Sequence, residues 1–313
     1  MKEIIVGRNE ANQRLDKLII KYLPAAGKGF IYKMIRKKNI SLNDKKCEGN
    51  EILAAGDSVK LWLSDETIDK FKGYISDEQT DTKTRINVSL PIIYEDDDIV
   101  IYNKPAGILS QKKDKKDVSV NEILIQYLLD SGQITYKQLE TFRPSICNRL
   151  DRNTSGIIIC GKSLTGLQEM AQMLKDRTVH KDYIAVVEGE IRSAGTLKGY
   201  ITKDVINNVV KITDKGDYIE TEYKPICTDG NISVIMVRLI TGKTHQIRLH
   251  MASAGHPLLG DYKYGNGNKA SRQMLHAYRV TLPDGRYYTA DIPEDMKWVH
   301  GNPGAFEDLP SKI

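Results

Sequence analysis

Residues 148–160 read Asn-Arg-Leu-Asp-Arg-Asn-Thr-Ser-Gly-Ile-Ile-Ile-Cys and join a polar segment to an apolar one. The acid in this stretch, Asp151, lies between two arginines, and four small or polar residues follow the second arginine. Residues 157–160 predict an extended, buried segment, because β-branched side chains favour strands. We therefore predict a polar loop at the N-terminal end of a buried strand.

The segments on either side of this loop mix strands and helices. Predicted strands occupy 99–102, 156–160, 183–187 and 234–239, and predicted helices occupy 119–129, 164–176 and 244–254. Strands outnumber helices and do not alternate strictly with them. The pattern predicts an α+β fold whose central sheet is mixed, mainly antiparallel, and flanked by helices and loops.

The first 63 residues differ from the rest in charge. They hold 13 Lys or Arg against 7 Asp or Glu, although the whole chain has a net charge of only +5. Apolar spacing predicts helices over 12–22, capped by Asn12, and over about 28–38, with short strands at 40–42 and 59–63. A basic unit on a nearly neutral body suggests a polyanion-binding module. From composition alone, a solubilising charged surface is the simpler interpretation.

Residues 66–88 differ again, because acidic side chains accumulate there with few apolar anchors. This composition is typical of a solvated linker between domains. We therefore predict a basic module over 1–65, an acidic linker over 66–88 and a larger domain over 89–313.

Several classes of protein are excluded by the composition. No stretch approaches the roughly 20 apolar residues of a membrane helix, and residues 1–4 have no apolar core of a secretory signal. We therefore expect the protein in the cytosol. The four cysteines are far apart, which indicates neither a disulfide framework nor a zinc site, and reduced thiols are expected.

Residues 156–163 formally match the phosphate-loop pattern Gly-x-x-x-x-Gly-Lys-Ser. Such a loop needs pliant residues whose successive N–H groups surround phosphates. Here the intervening residues are Ile, Ile, Ile and Cys, which favour a strand. A nucleotidase would require nucleotide binding through Lys162, and we reject that interpretation.

Two polar segments carry candidate chemistry. From spacing alone, residues 148–156 are best interpreted as a polar turn. The alternative is that Asp151 is a carboxylate kept ionised by neighbouring guanidinium groups, and such a group can act as a nucleophile or base. In the segment 241–250, His245 and His250 are five residues apart, whereas helical metal ligands are four apart, so capping or core histidines are expected.

Taken together, these segments resemble the RluA-type family of RNA pseudouridine synthases over roughly residues 12–300. The matching motifs occur in the family's order at 94–107, 149–156, 181–189, 242–250 and 255–261. Residues 13–63 are similar to the αL RNA-binding module that precedes the catalytic domain in some members. Two positions depart from the family pattern: Asn148 replaces a frequent His, and Lys243 replaces a frequent Arg.

The resemblance implies an isomerase that detaches uracil from ribose, turns it and rejoins it through carbon 5. It implies no cofactor and no metal. It also implies an RNA partner and no membrane partner. The sequence does not reveal the oligomeric state, and a monomer is the default expectation. Large-subunit ribosomal RNA is the expected substrate, and transfer RNA is the alternative. A non-catalytic RNA-binding factor for ribosome assembly remains the alternative from a different functional class.

The resemblance also implies roles for individual residues. Asp151 would attack the sugar's anomeric carbon or carbon 6 of the base, or would remove the ribose 2′ proton. Tyr183 would stack on the uracil and assist removal of the carbon 5 proton, and Arg248 would pair with Asp151. Arg149 would take the place of the flipped nucleotide, and Leu249 would form part of the apolar wall. The basic module would contact RNA through Lys33, Arg36, Lys37 and Lys38.

Overall fold

The computed structural model describes residues 1–72, 86, 88–114, 116–204, 209–267 and 269–297. The helices are α1 (Leu15–Tyr22), α2 (Lys28–Arg36), α3 (Asp65–Lys72), α4 (Val120–Asp130), α5 (Leu164–Lys175), α6 (Gln246–Ser253) and α7 (Glu294–Lys297), with a 3₁₀ turn at Gln138–Glu140. The strands are β1 (Lys2–Ile5), β2 (Ile40–Leu42), β3 (Lys45–Lys46), β4 (Ser58–Leu61), β5 (Ile92–Glu95), β6 (Ile99–Lys104), β7 (Ser145–Ile146), β8 (Ser155–Gly161), β9 (His180–Glu188), β10 (Gly195–Asp204), β11 (Val209–Thr213), β12 (Asp217–Thr228), β13 (Ile232–Leu239), β14 (Leu275–Thr281) and β15 (Tyr287–Thr289).

The N-terminal unit packs α1 and α2 with an antiparallel sheet of order β1–β4–β2–β3. Its core includes the predicted stripe of α1, whose Leu15, Leu18 and Ile19 are fully buried. The predicted cap was wrong, because Asn12 has a left-handed backbone (φ 59°) and α1 begins only at Leu15. Arg14, just before the helix, is extended and forms a bridge with Ile52.

The first part of the predicted acidic linker is a helix. Ile68 of α3 is 4% exposed and belongs to the N-terminal core. Phe71 packs on Phe30 with ring centroids 4.4 Å apart. Ile68 and Phe71 are at i and i+3, so a single helical turn brings both onto the N-terminal core. Residues 73–85 of the predicted linker lie outside the described residues.

The larger domain contains a sheet of order β11–β10–β12–β13–β9–β14–β8–β6–β5, with β15 on β14 and β7 on β8. Strands β8 and β14 pair in parallel, and the other described pairs in this sheet are antiparallel. The predicted mixed, mainly antiparallel sheet with flanking helices is confirmed. Strand β8 is buried along its whole length, as its apolar sequence predicted.

Gly156 determines how closely β8 approaches β14. Its φ is +107°, and a Cβ atom at this position would lie 2.2 Å from the carbonyl oxygen of Ala277. Only glycine permits this approach. Residues 156–161 of the formal phosphate-loop segment therefore lie in β8. Lys162, directly after the strand, forms a salt bridge with Glu95.

The first loop of the N-terminal unit contacts the larger domain directly. Arg8 donates two hydrogen bonds to the carboxylate of Asp98, at 2.9 and 3.0 Å. The Thr141 hydroxyl donates to Glu10 at 2.6 Å. These contacts hold residues 8–10 against the larger domain at two places.

The cysteines, the helices and the possible metal ligands can be examined in the described residues. The described cysteines form no disulfide; Cys47 and Cys160 are buried, and Cys147 and Cys227 are half-buried. In the described part of the chain, no helix has both the length and the apolar character needed to cross a bilayer. Its His, Cys, Asp and Glu residues form no group of three able to hold a metal ion.

Candidate active site

The loop that carries Asp151 connects β7 to β8. At its start, the amide of Asn148 substitutes for a strand partner, because its Oδ1 accepts the Ile159 N–H at 2.7 Å. Its Nδ2 donates to the carbonyl of Ile157 at 3.3 Å. Asn148 therefore has a structural role beside β8, and it is the position at which the resembled family frequently has His.

The backbone on both sides of the acid is fixed to the segment after β6. The Ser110 hydroxyl accepts the N–H of Leu150 at 3.0 Å and donates to its carbonyl at 2.7 Å. Beyond the acid, the carbonyl of Arg152 accepts the N–H of Gly107 at 2.9 Å, and its guanidinium donates to the Gly107 carbonyl at 3.0 Å. The loop is therefore held by backbone contacts, which leaves the carboxylate of Asp151 available.

Lys104 at the end of β6 reinforces this attachment. Its ammonium donates to three carbonyl oxygens, those of Pro105, Ile108 and Arg152, at 2.9, 3.0 and 3.2 Å. The side chain is fully buried, and burial lowers the pKa of Lys104 to about 7. The charge of Arg272 lowers this pKa further, and that of Asp151 opposes the shift. Lys104 is therefore a buried hydrogen-bond donor beneath the loop.

Arg248 of α6 lies between two carboxylates. It donates to Oδ2 of Asp151 at 2.8 Å, which is the predicted contact, and to both oxygens of Asp261 at 2.7 and 2.8 Å. Burial opposes the charge of Arg248, but the bonds to Asp261 and Asp151 raise its pKa. Burial likewise opposes ionisation of Asp261, and Arg248 outweighs it, so the pKa of Asp261 is lowered. The result is a permanent cation at one oxygen of Asp151.

The arginines next to Asp151 in the sequence do not form this pair. Arg149 is exposed, and the guanidinium of Arg152 is bonded to a carbonyl of the loop. The guanidinium that contacts Asp151 therefore comes from Arg248 on a distant helix, and not from Arg149 or Arg152.

Helix α6 begins two residues later than predicted. The side-chain oxygen of Gln246 accepts the Lys243 N–H at 3.1 Å and the Thr241 hydroxyl at 2.8 Å. The backbone of His245 is left-handed at φ 56° and ψ 18°. This conformation separates the loop from the helix and directs the imidazole toward Asp151, with Nε2 3.7 Å from Oδ1.

Tyr183 of β9 is buried, with 6% of its surface exposed. Burial, and then the nearby carboxylate of Asp151, raise its pKa. The phenol is therefore protonated at neutral pH. Tyr183 contributes an aromatic surface with a neutral hydroxyl close to the acid.

The structure places the remaining predicted residues in three different surroundings. Leu249 belongs to a small apolar cluster with Ile201, Val210 and Ile219, which Tyr264 also contacts. Arg149 is exposed on the loop. The predicted RNA-contacting side chains of the N-terminal unit are all exposed, on α2 or just after it: Lys33, Arg36, Lys37 and Lys38.

The arrangement around Asp151 suits nucleophilic or base chemistry. Its side chain is 25% exposed, so a substrate has access. Oδ2 is held by Arg248, and Oδ1 is left for reaction. Sequence reasoning assigned no role to Lys104, Asp261 or Tyr264, although all three lie within or next to the quoted motifs.

Comparisons with known proteins identify the family. The family profile described as RNA pseudouridylate synthase matches residues 98–253, which contain Asp151, Tyr183 and Arg248. Ribosomal large subunit pseudouridine synthase D of Borreliella burgdorferi is 34% identical over 275 residues, covering 85% of this chain and 82% of its own. Ribosomal large subunit pseudouridine synthase C of Rickettsia bellii is 32% identical over 295 residues, covering 89% of this chain and 92% of its own.

Solved structures show the same fold. Human RNA pseudouridylate synthase domain containing 4 superposes with a TM-score of 0.56 at 20% identity, covering 68% of this chain and 92% of its own. Human RNA pseudouridylate synthase domain containing 1 gives a TM-score of 0.52 at 22% identity, covering 66% of this chain and 84% of its own. With the sequence relatives, this likeness leads to one conclusion. The chain belongs to the RluA-type family of RNA pseudouridine synthases, which makes it an RNA isomerase.

Proposed function

We propose that this protein converts uridine to pseudouridine in large-subunit ribosomal RNA and that Asp151 performs the chemistry. The observation that carries the catalytic part is the fixed geometry of the carboxylate. Arg248 holds Oδ2 at 2.8 Å, while Oδ1 faces Nε2 of His245 at the longer distance of 3.7 Å. A carboxylate that is held in one orientation can attack an electrophilic carbon or accept a proton.

The proposed reaction begins when the target uridine leaves its stack, at a cost of a few kcal/mol that is lowest in loops and single strands. Asp151 then uses Oδ1 on the sugar's anomeric carbon, on carbon 6 of the base or on the ribose 2′ proton. The bond between the anomeric carbon and N1 of the base then breaks, and the base turns. A bond forms between the anomeric carbon and carbon 5 as Asp151 is released, the carbon 5 proton leaves to solvent, and N1 takes up a proton. Arg248 stays bonded to Oδ2 throughout, so its position needs no reorganisation during reaction.

Tyr183 and Arg149 are proposed to hold the flipped nucleotide. The phenol of Tyr183 stacks on the uracil, and because burial raises its pKa, it is a platform and not a phenolate base. Arg149 is exposed on the same loop as Asp151, so its planar cation can fill the vacated stack or bind phosphate. Leu249 supports the apolar wall through its cluster under Tyr264.

The N-terminal unit, residues 1–65, is proposed to be an αL-type RNA-binding module. Its exposed cations at positions 33, 36, 37 and 38 would contact phosphates without selecting a base. The catalytic domain would begin at residue 89, and the acidic segment 66–88, whose first part α3 packs on the N-terminal unit, would connect the two. We also propose a monomer that acts in the cytoplasm without a membrane partner.

The ribosomal substrate is inferred from the relatives. They are named ribosomal large subunit pseudouridine synthase D in one case and C in several others, so they share the type of RNA but not one designation. We therefore propose the large-subunit RNA and assign no particular uridine.

The test is carbodiimide-based pseudouridine mapping of ribosomal and transfer RNA from cells that lack this protein, after incubation with purified enzyme. The wild type should introduce stops at discrete uridines of the large-subunit RNA, and Asp151→Asn should introduce none. Stops confined to transfer RNA would show that transfer RNA, and not ribosomal RNA, is the substrate. No stops with either RNA, while binding persists, would support an RNA-binding assembly factor instead.

A further inference from the structure

A row of polar contacts leads from the edge of the sheet to Asp151. The backbone N–H of Val210 in β11 donates to the Tyr264 hydroxyl at 3.4 Å. That hydroxyl is 2.9 Å from Nδ1 of His245. On the other side of the ring, Nε2 is 3.7 Å from Oδ1 of Asp151. The imidazole therefore lies between a tyrosine and the oxygen that Arg248 leaves free.

The direction of these contacts follows from the groups themselves. A backbone N–H can only donate, so the Tyr264 oxygen is the acceptor for Val210. The Tyr264 proton then has Nδ1 of His245 within reach as its acceptor. A neutral imidazole that accepts at Nδ1 carries its proton on Nε2. This N–H faces Asp151.

The surroundings keep the imidazole neutral. The His245 side chain is 15% exposed, and burial lowers its pKa. The charges of Arg248 and Lys263 lower the pKa further, against the opposing effect of Asp151. A neutral ring has one N–H, so the tautomer decides whether His245 can donate to Asp151.

The left-handed backbone of His245 fixes the direction of its ring. Its φ of 56° is rare for residues other than glycine and persists where the surroundings enforce it. Here Gln246 enforces it, through its bonds to Lys243 and Thr241. A regular helical start at this position would turn the imidazole elsewhere.

We propose that His245 is a positioning residue, which donates from Nε2 to Oδ1 of Asp151 when RNA is bound and so aims the reacting oxygen. The proposal rests on the proposed role of Asp151. The present 3.7 Å exceeds a hydrogen bond, and catalytic contacts are often this long before substrate binds. Arg248 and His245 would then hold one oxygen each.

Two substitutions separate the donor from the backbone. His245→Asn keeps a short polar side chain that tolerates a left-handed backbone but reaches only the position of Nδ1. His245→Gln extends an amide N–H to about the position of Nε2. We expect His245→Asn to reduce the single-turnover rate at saturating RNA by roughly 10- to 100-fold, the range for one hydrogen bond to a charged group. His245→Gln should recover most of this loss, and neither should change the Kd for RNA.

The tautomer can be measured without activity. In ¹⁵N side-chain spectra, the signal that His245→Asn removes should show a protonated Nε2 and an unprotonated Nδ1. Tyr264→Phe removes the hydroxyl that selects this tautomer, so a mixture and a smaller rate loss are expected. The double variant His245→Asn/Tyr264→Phe should be no slower than His245→Asn, because both act through one contact.

Three results would overturn the proposal: wild-type rates for His245→Asn, a weaker Kd for RNA with an unchanged rate, or a proton found on Nδ1. The second would make His245 an RNA contact. These failures differ from failure of the proposed function. If Asp151→Asn is inactive while the His245 variants are normal, only the positioning role is lost, whereas an active Asp151→Asn removes the proposed role of Asp151 itself.

Discussion

Arg248 and Arg149 carry the same guanidinium group in opposite surroundings. Arg248 is 8% exposed in its side chain and bonded to two carboxylates, whereas Arg149 is exposed on the loop of Asp151. A fixed, buried cation can stabilise a reacting carboxylate without reorganising. An exposed cation remains available to a ligand that arrives from solvent. We propose that this difference assigns Arg248 to the chemistry and Arg149 to RNA contact within one site.

The same contrast holds between the two ends of the molecule. The cations of α2 are exposed, and they attract a polyanion over a distance that salt shortens. The network of Arg248, Asp151 and Asp261 is at contact distance and largely buried, so salt screens it much less. Salt should therefore affect binding much more than the chemical step.

The largest effect is expected from Arg248→Met. It leaves Asp261 buried without its cation, which should lower the free energy of unfolding by about 3–5 kcal/mol. Turnover should fall on the order of 10²–10³-fold, as when one preorganised donor is lost. Urea unfolding and single-turnover rates would measure both quantities.

The matched control for that substitution is Arg152→Gln. Arg152 is exposed and bonded through its side chain to one loop carbonyl, so its loss should change the free energy of unfolding by less than about 1 kcal/mol. Equal losses in the two variants would contradict the contrast between fixed and exposed arginines.

The next effect is expected from Lys104→Met, which removes the donor to three backbone carbonyls that fix the loop. We expect a loss of about 1–3 kcal/mol in the free energy of unfolding, together with slower turnover, because the loop of Asp151 is loosened. Thermal unfolding and the single-turnover rate test this. Wild-type stability together with a wild-type rate would contradict it.

Lys104 also predicts a pH dependence of stability. Burial lowers its pKa from 10.5 to about 7, so the unfolded state binds the proton more tightly. Stability should therefore rise with pH between about 7 and 10.5, and Lys104→Met should remove this contribution. Urea midpoints across that range measure the difference, and parallel pH profiles for the two proteins would exclude it.

A smaller effect on activity is expected at the basic surface. Replacement of Lys33, Arg36, Lys37 and Lys38 by Gln should weaken RNA binding and reduce the slope of log K against log salt by about 3, at roughly 0.7 per lost phosphate contact. Exchanging Lys for Arg and Arg for Lys at the same positions keeps the charge and serves as the control. An unchanged salt slope in the Gln variant would mean that α2 does not contact RNA.

The smallest effect is expected from Tyr183→Phe. The phenol is protonated because burial raises its pKa, and Phe keeps the stacking surface. The rate should fall by less than about tenfold, well below the roughly 10²–10⁴-fold that a general acid or base contributes. A loss of 10²-fold or more would show that the hydroxyl transfers a proton.

Local features of the sequence predicted much of the fold. Strand β8 and the loop before it were predictable because residues 157–160 are apolar and the preceding residues are polar. Strand β1 was not predicted, because its stability comes from pairing with β4, far along the chain. Helix α3 was missed because two apolar side chains, Ile68 and Phe71, stand among many acidic ones.

The site was predictable as a set of motifs but not as a geometry. The motif order predicted Asp151, Tyr183 and Arg248 as a group, and the structure brings them together. The second carboxylate on Arg248 and the left-handed backbone of His245 depend on contacts between distant segments. Periodicity and spacing carry no information about such contacts.

The most direct test of the account is tritium release from RNA labelled at carbon 5 of uridine, under single turnover with saturating enzyme. Bond formation at carbon 5 expels this hydrogen, so release reports the chemistry itself. We predict release by the wild type and by the variant with Gln at positions 33, 36, 37 and 38. We predict none by Asp151→Asn, although Asp151→Asn binds the RNA with the wild-type Kd. Release by Asp151→Asn at a rate near that of the wild type would contradict the account.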